Sequence, residues 1–521
     1  MQIIRQLHDV VRQYVSRRDP ALKYVFQEGN NATELLEGVV SGVYKTDEDA
    51  VLDLYSLSKN DKLRYRQTKH TVIRKLESLF FFLNFRTATH SAYTANLYKV
   101  KREVFVGDVL SWLGRHEAMV QTVTRALKTA EDYEFTLHRL RCYQLLQKYY
   151  SKIGNRQEYM KHSEAVTHTL AVYNAEIRAV TWRTRMRLEA VSQSVVPQST
   201  LREFREILPI IEADVKTFKT RTLYANFVTF AGATKRLLGE FAEAANIYED
   251  YLQFLDDNPA FDMNSQRGMA HYSLARSFHF LRDYEKALKH TDKAFEYVKL
   301  RSENWYSVAE MGLFIALHSQ NYRKAIDTFQ WVLNQANFSD SAIRLEKWSI
   351  YEAYLRFLVE DEESFPSHQT VRGSQFSLNY ILEEIDVVRT DRIGMYLSIL
   401  VFQIVHYVKK RLLNLVESRL RTLKYYVYPA QQSKASLGRY YRTQCFVQML
   451  SVMVQCEYHP SDTKQKAEPL YRQLLEYKQD DTADESPMAL EEIVPYQHLW
   501  DFVLRELKTI EAEGVFIRAT S

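Results

Sequence analysis

Apolar residues recur at three- and four-residue intervals through nearly all of this chain. In Tyr272–Phe280, YSLARSFHF, residues Leu274, Ala275 and Phe278 share one face of a helix. Few stretches alternate β-branched and polar residues between turns, so the pattern predicts an all-α protein. Polar stretches mark the breaks. Ser192–Thr200 (SQSVVPQST), Glu360–Gln375 (EDEESFPSHQTVRGSQ) and Tyr477–Pro487 (YKQDDTADESP) read as loops. Gly29–Glu34 and Ser56–Lys62 mark turns inside the first helical unit. Ser339, Asp340 and Ser341 are positioned to cap a helix that begins near Ala342. These breaks divide the chain into an N-terminal helical unit (1–98), degenerate helical repeats (99–191), a better-defined repeat block (200–340) and a C-terminal region of helical repeats or capping helices (341–521).

The repeat block has its own internal pattern. Phe241, Ala244 and Tyr248 follow Gly239. Tyr284, Ala287 and Ala294 follow in RDYEKALKHTDKAFEYV, and Tyr322, Ala325, Phe329 and Val332 in QNYRKAIDTFQWVL. The aromatic anchors Phe241, Tyr284 and Tyr322 are 43 and then 38 residues apart. A small residue three places after an aromatic lets two helices approach, and the bulky residues beside it fill the remaining space.

Scarce glycine (14) and proline (10) in 521 residues fit long helices and short connections. The net charge of +4 is too balanced for a chain that is basic throughout. Cys142, Cys445 and Cys456 have no metal-site spacing and read as free buried thiols of a reducing compartment. The N-terminus breaks its apolar residues with charges and does not read as a signal peptide. The most apolar run, Gly394–Val408, is shorter than the roughly 20 residues a membrane span needs. The expected location is therefore the cytoplasm, with no membrane partner.

Motifs for catalysis are missing: there is no phosphate loop, no HExxH, no GxSxG and no kinase set. The sequence predicts no enzyme, no cofactor and no metal site. Adjacent acidic pairs, Glu383–Glu384 and Glu491–Glu492, read as solvated helix surface. The basic stretch IRAVTWRTRMRLEAV places Arg178, Trp182 and Arg185 on one helical face, a pattern that could hold phosphates and stack a base. A nucleic-acid-binding helical-repeat protein is accordingly one alternative.

The three units resemble tetratricopeptide repeats. Gly232 and Gly239 with Phe241 and Ala244 match the family pattern, as do Leu274, Ala275 and Phe278 ahead of Tyr284 and Ala287. The third unit carries Gln320–Asn321 where the turn glycine is expected, and both spacings exceed the family period of about 34 residues. Upstream, Gly107, Gly114, His116 and Ala126 fit a weaker unit in which Met119 replaces an alanine. Tyr150 and Gly154 fit another. The C-terminal region, with EEIVPYQHLW, is similar to uncharacterised bacterial helical-repeat proteins.

The resemblance implies a right-handed α-solenoid of helical hairpins, flanked by helical terminal units, whose first helices line a concave groove. It assigns Asn226, Thr229, Arg236, Tyr272, Arg276, His279, Glu310 and Phe314 to that groove, with Lys101, Arg141, Gln144 and Lys148 in the weaker block. The implied function is a scaffold or adaptor that binds a protein or peptide with an acidic feature. A peptide- or signal-responsive regulator that changes solenoid curvature is the other alternative. The Lys/Asn clamp of some family members is not reproduced.

Overall fold

The computed structural model describes residues 1–15, 30–55, 59–83, 92–192, 196–258, 264–336, 338–359, 393–428, 441–476 and 492–513. Among these residues there are 21 α-helices and no strand. The helices fall into two compact units, residues 1–174 and 175–521. The division lies inside one long helix. The predicted loops at Glu360–Gln375 and Tyr477–Pro487, and the acidic pair Glu383–Glu384, lie outside the described residues.

In the first unit, α1 (Gln2–Tyr14), α2 (Asn31–Ser41), α3 (Asp47–Leu54) and α4 (Lys59–Leu79) close around Ile4, Val11, Leu35, Val39, Val72 and Leu76. Asn30 caps α2 by accepting from the backbone N–H of Ala32 and Thr33. A second core follows, built by α5 (Ala92–Trp112), α6 (His116–Asp132) and α7 (Thr136–Lys152). Met119, where the repeat pattern expects alanine, is buried there beside Val123 and Ala126. The next helix, α8 (Arg156–Ser192), runs across the division.

The second unit continues with α9 (Gln198–Phe218), α10 (Arg221–Leu237), α11 (Phe241–Asp257), α12 (Asn264–Phe280), α13 (Tyr284–Tyr297), α14 (Glu303–His318), α15 (Tyr322–Leu333) and α16 (Ala342–Leu358). After these come α17 (Ile393–Lys409), α18 (Leu413–Val427), α19 (Tyr441–Gln455), α20 (Pro460–Glu476) and α21 (Tyr496–Ala512). From α9 through α21, each helix packs on the next. In the repeat block, α10 also touches α12, and α12 touches α14, so the first helices of successive hairpins lie side by side. This order is that of an all-α, solenoid-like repeat. The last helix departs from strict succession, because α21 packs on α17 and α19 as well as on α20. Ser341 caps α16, as its sequence predicts, by accepting from the Arg344 N–H.

One turn is used repeatedly. A residue with positive φ follows the helix, and the N–H after it bonds back five residues, the pattern of a Schellman cap. Gly114, Glu134, Gly154, Gly239, Arg282, Gln320, Arg411 and Glu457 occupy the positive-φ position. The back-bonds run from Arg115 to Leu110, Phe135 to Ala130, Asn155 to Tyr150, Glu240 to Lys235, Asp283 to Phe278, Asn321 to Ala316, Leu412 to Tyr407 and Tyr458 to Met453, at 2.8–3.0 Å. Two of these turns close the hairpins α17–α18 and α19–α20, which the sequence pattern alone leaves unrecognised. Only three of the eight positions are glycine, so a search for turn glycines sees fewer than half of them.

The non-glycine turns carry a conformational cost. At Gln320, φ is +58°, a region disfavoured for a residue with a Cβ by roughly 1–2 kcal/mol. Gln320→Gly should therefore raise the free energy of unfolding, by about 1 kcal/mol after the added chain entropy of glycine is set against that strain. Denaturant titration checks it. An unchanged or lower midpoint would show that the turn is not strained.

Candidate functional site

The residues assigned to the groove separate into three groups. On α10, Asn226 is buried and donates to the Thr222 carbonyl at 2.6 Å, while the exposed Thr229 donates to the Ala225 carbonyl at 2.9 Å. Both hydrogen bonds stay within their own helix. On α14, Glu310 accepts from Lys347 Nζ at 3.0 Å and from the Tyr351 hydroxyl, both on α16. Phe314, 4% exposed, packs edge-on against Tyr351 with ring centroids 5.4 Å apart. Glu310 and Phe314 thus serve the α14–α16 contact.

Arg236, Tyr272, Arg276 and His279 form the third group. Arg236 ends α10 and is 8% exposed, its guanidinium 5.4 Å above the Tyr248 ring. Gly232 lets Tyr248 lie there, since a Cβ at that position would meet the ring at 2.4 Å. Arg276, on α12, lies 5.8 Å over Tyr272. The helices of the two arginines touch, burial lowers the proton affinity of Arg276, and the Arg236 charge lowers it further. His279 is 8% exposed and sits 4.6 Å from His318, centroid to centroid. Burial holds its imidazole well below the ordinary histidine range, and His318 and Arg276 push in the same direction. It is therefore neutral near pH 7.

Among the described residues, the cluster has no acidic partner. Arg236 Nε and Nη1, Arg276 Nε and His279 Nδ1 are buried without a hydrogen-bond partner. The acids carried nearby are already paired. Lys235 holds Glu240 and Glu243, Lys347 holds Glu310, and Arg442 holds Glu492.

Glu491 lies outside the described residues, and Glu492 corrects the expectation of a solvated helix surface. It precedes α21 in non-helical backbone, among Ile493, Val494 and Tyr496, each no more than 2% exposed. Its carboxylate takes two charge-assisted bonds from Arg442, at 2.7 and 2.9 Å, and one from the Tyr496 N–H at 3.0 Å. Its carbonyl lies 3.0 Å from His318 Nε2. Burial by itself would raise the Glu492 carboxyl, but Arg442 outweighs it and the carboxyl is held below its usual range. His318 thus joins the cationic cluster on one side to this ion pair on the other.

The sequence alone does not bring His318 or the Arg442–Glu492 pair to this site, and it marks Tyr248 only as a packing residue of the repeat. His318 stands three residues before Asn321 at a hairpin end, which is a usable signal. Nothing local marks residue 492 as the partner of residue 442.

The basic helix of the nucleic-acid alternative is differently engaged. Arg178 pairs with Asp214 at 3.3 Å and Arg185 with Glu203 at 2.6 Å. Trp182 packs against Phe204 and Phe230, and Arg185 covers its ring at 5.1 Å. In the weaker block, Arg141 bonds Asp108 and Gln144. Among the described residues, no group of three or more His, Cys, Asp or Glu side chains could hold a metal ion, and no helix is long and apolar enough to cross a membrane. No protein-family model matches this chain, and no curated protein matches it.

Proposed function

We propose that this chain is a non-enzymatic scaffold or adaptor, tetratricopeptide-like in its repeat block, that takes a protein or peptide along the row formed by α10, α12 and α14. The observation that supports the reading is the pair of cations Arg236 and Arg276, with the neutral His279, on adjacent first helices and with no acidic partner among the described residues. A folded chain that needed these cations only for packing would pair them or replace them with apolar residues, since an unpaired buried charge is costly. An acidic group on a partner supplies the missing charge, and Tyr272 and Tyr248 hold the two guanidiniums in place through their ring faces. The close approach at Gly232 and the Gly239 turn agree with the tetratricopeptide resemblance. The Trp182 face has less support, because Arg178 and Arg185 are already ion-paired.

The test begins with affinity purification from the native host and mass spectrometry, which identifies the captured partner. Arg276→Glu should then abolish capture while leaving helical circular dichroism unchanged, because the new carboxylate would pair with Arg236 inside the fold. Capture undiminished by this variant would remove the assignment of the row as the binding face.

A further inference from the structure

The charge balance of the cluster narrows what it can hold. A guanidinium does not deprotonate in a protein, so Arg236 on α10 and Arg276 on α12, two helices that touch, bring two fixed positive charges to one row, and the neutral His279 brings none. A carboxylate or chloride would leave one of these charges uncompensated in a buried site. A phosphate monoester carries about −1.5 to −2 at neutral pH and presents three acceptor oxygens. Three buried guanidinium nitrogens lack partners here, Arg236 Nε, Arg236 Nη1 and Arg276 Nε, and so does His279 Nδ1. Arg236 and His279 are each more than nine-tenths buried, so the donors are held by packing before any ligand arrives.

We propose that Arg236 and Arg276, with His279 beside them, form a binding site for a dianionic phosphate monoester. The inference rests on the α10–α12 face as a binding surface, and it names the group that face recognises. The phosphate could be borne by a peptide side chain or be a free phosphate ester. The recognition chemistry is the same in both cases: two charge-assisted guanidinium contacts to one PO₃ group.

The full chain is titrated calorimetrically, in buffer free of phosphate and sulfate, with inorganic phosphate, O-phosphoserine, a phosphoserine peptide and its unphosphorylated form, and acetate. The phosphorylated probes and inorganic phosphate should bind with one site, and acetate at least tenfold more weakly. Arg276→Met and Arg236→Met should each lose at least tenfold in phosphate affinity, whereas Arg323→Gln, on the exposed face of α15, should lose none. A second readout separates ligand recognition from a packing role. Without phosphate, Arg276→Met should melt no lower than the native chain, because it removes an uncompensated charge. With phosphate, only the native chain should gain melting temperature.

Acetate binding as tight as phosphate would overturn the proposal, as would full phosphate affinity in Arg276→Met, or no binding of any phosphorylated probe. The two readings fail separately. Phosphate binding with no gain from the attached peptide upholds this site and removes the peptide scaffold. Partner capture that depends on Arg276 without any phosphate binding keeps the scaffold and removes this site.

Discussion

Acidification should unfold the second unit over a narrow pH range, between about pH 6.5 and pH 4. His271, His279, His290, His318, His406 and His498, all in the second unit, have lowered proton affinity, in each case chiefly because burial disfavours the charged ring. His271 is pushed down to about 4 by burial and then by His290, whose Nδ1 lies 3.1 Å from its own, and by Arg267 and Lys293; Glu296 opposes weakly. The sign follows from proton counting. Between the folded and unfolded pKa values the unfolded chain binds more protons, so stability is complete above about pH 6.5 and falls as the pH drops towards 4. A shift of this size costs about 3 kcal/mol for His271 alone, a large part of the stability of an ordinary domain. Denaturant titrations across this range should show a falling midpoint, and His271→Asn should flatten the dependence by close to one proton. A midpoint unchanged from neutral pH to about pH 4.5 would mean that these rings accept protons inside the fold.

Breaking the Arg442–Glu492 pair should have an effect of similar size. Arg442 also donates to the Leu474 carbonyl at 2.6 Å and to Gln497 Oε1 at 2.9 Å, so one guanidinium ties α20, the 492–495 segment and α21 together. Removing one partner leaves the other charge buried and uncompensated, at a cost of about 3–5 kcal/mol. Glu492→Ala or Arg442→Ala should therefore lower stability by about 3 kcal/mol, the lower end because each side chain keeps nearly a fifth of its exposure. The double variant Arg442→Met with Glu492→Met should recover most of the loss, since two apolar side chains leave no orphaned charge. Three thermal melts decide the matter: if the double variant is no better than the singles, the pair is not a coupled unit. The same change should also disturb His279 through His318, whose Nε2 donates to the Glu492 carbonyl.

These two predictions draw on features of different legibility. The histidines are visible in the sequence, yet their burial is not, because a histidine on a helix reads the same whether its face meets solvent or another helix. His271 and His290 are 19 residues apart on separate helices, and only the α12–α13 packing makes them neighbours. Arg442 and Glu492 are further separated still. Glu492 reads as surface because two adjacent glutamates, Glu491 and Glu492, point to different faces of a helix and carry no partner in sequence. Its burial comes from Ile493, Val494 and Tyr496, which carry it into the core.

The sequence by itself determined the all-α class, the hairpin units from Phe241 to Val332, and the helix start at Ala342. Apolar spacing and capping residues are local properties, and helices form from local contacts. Tertiary structure alone decided that Asn226 and Thr229 bond within their own helix and that Glu310 and Phe314 belong to the α14–α16 contact. It also decided that, among the described residues, Arg236 and Arg276 have no acidic partner. Whether a charge is paired depends on which helices lie beside it, and residues up to 174 positions away set that arrangement.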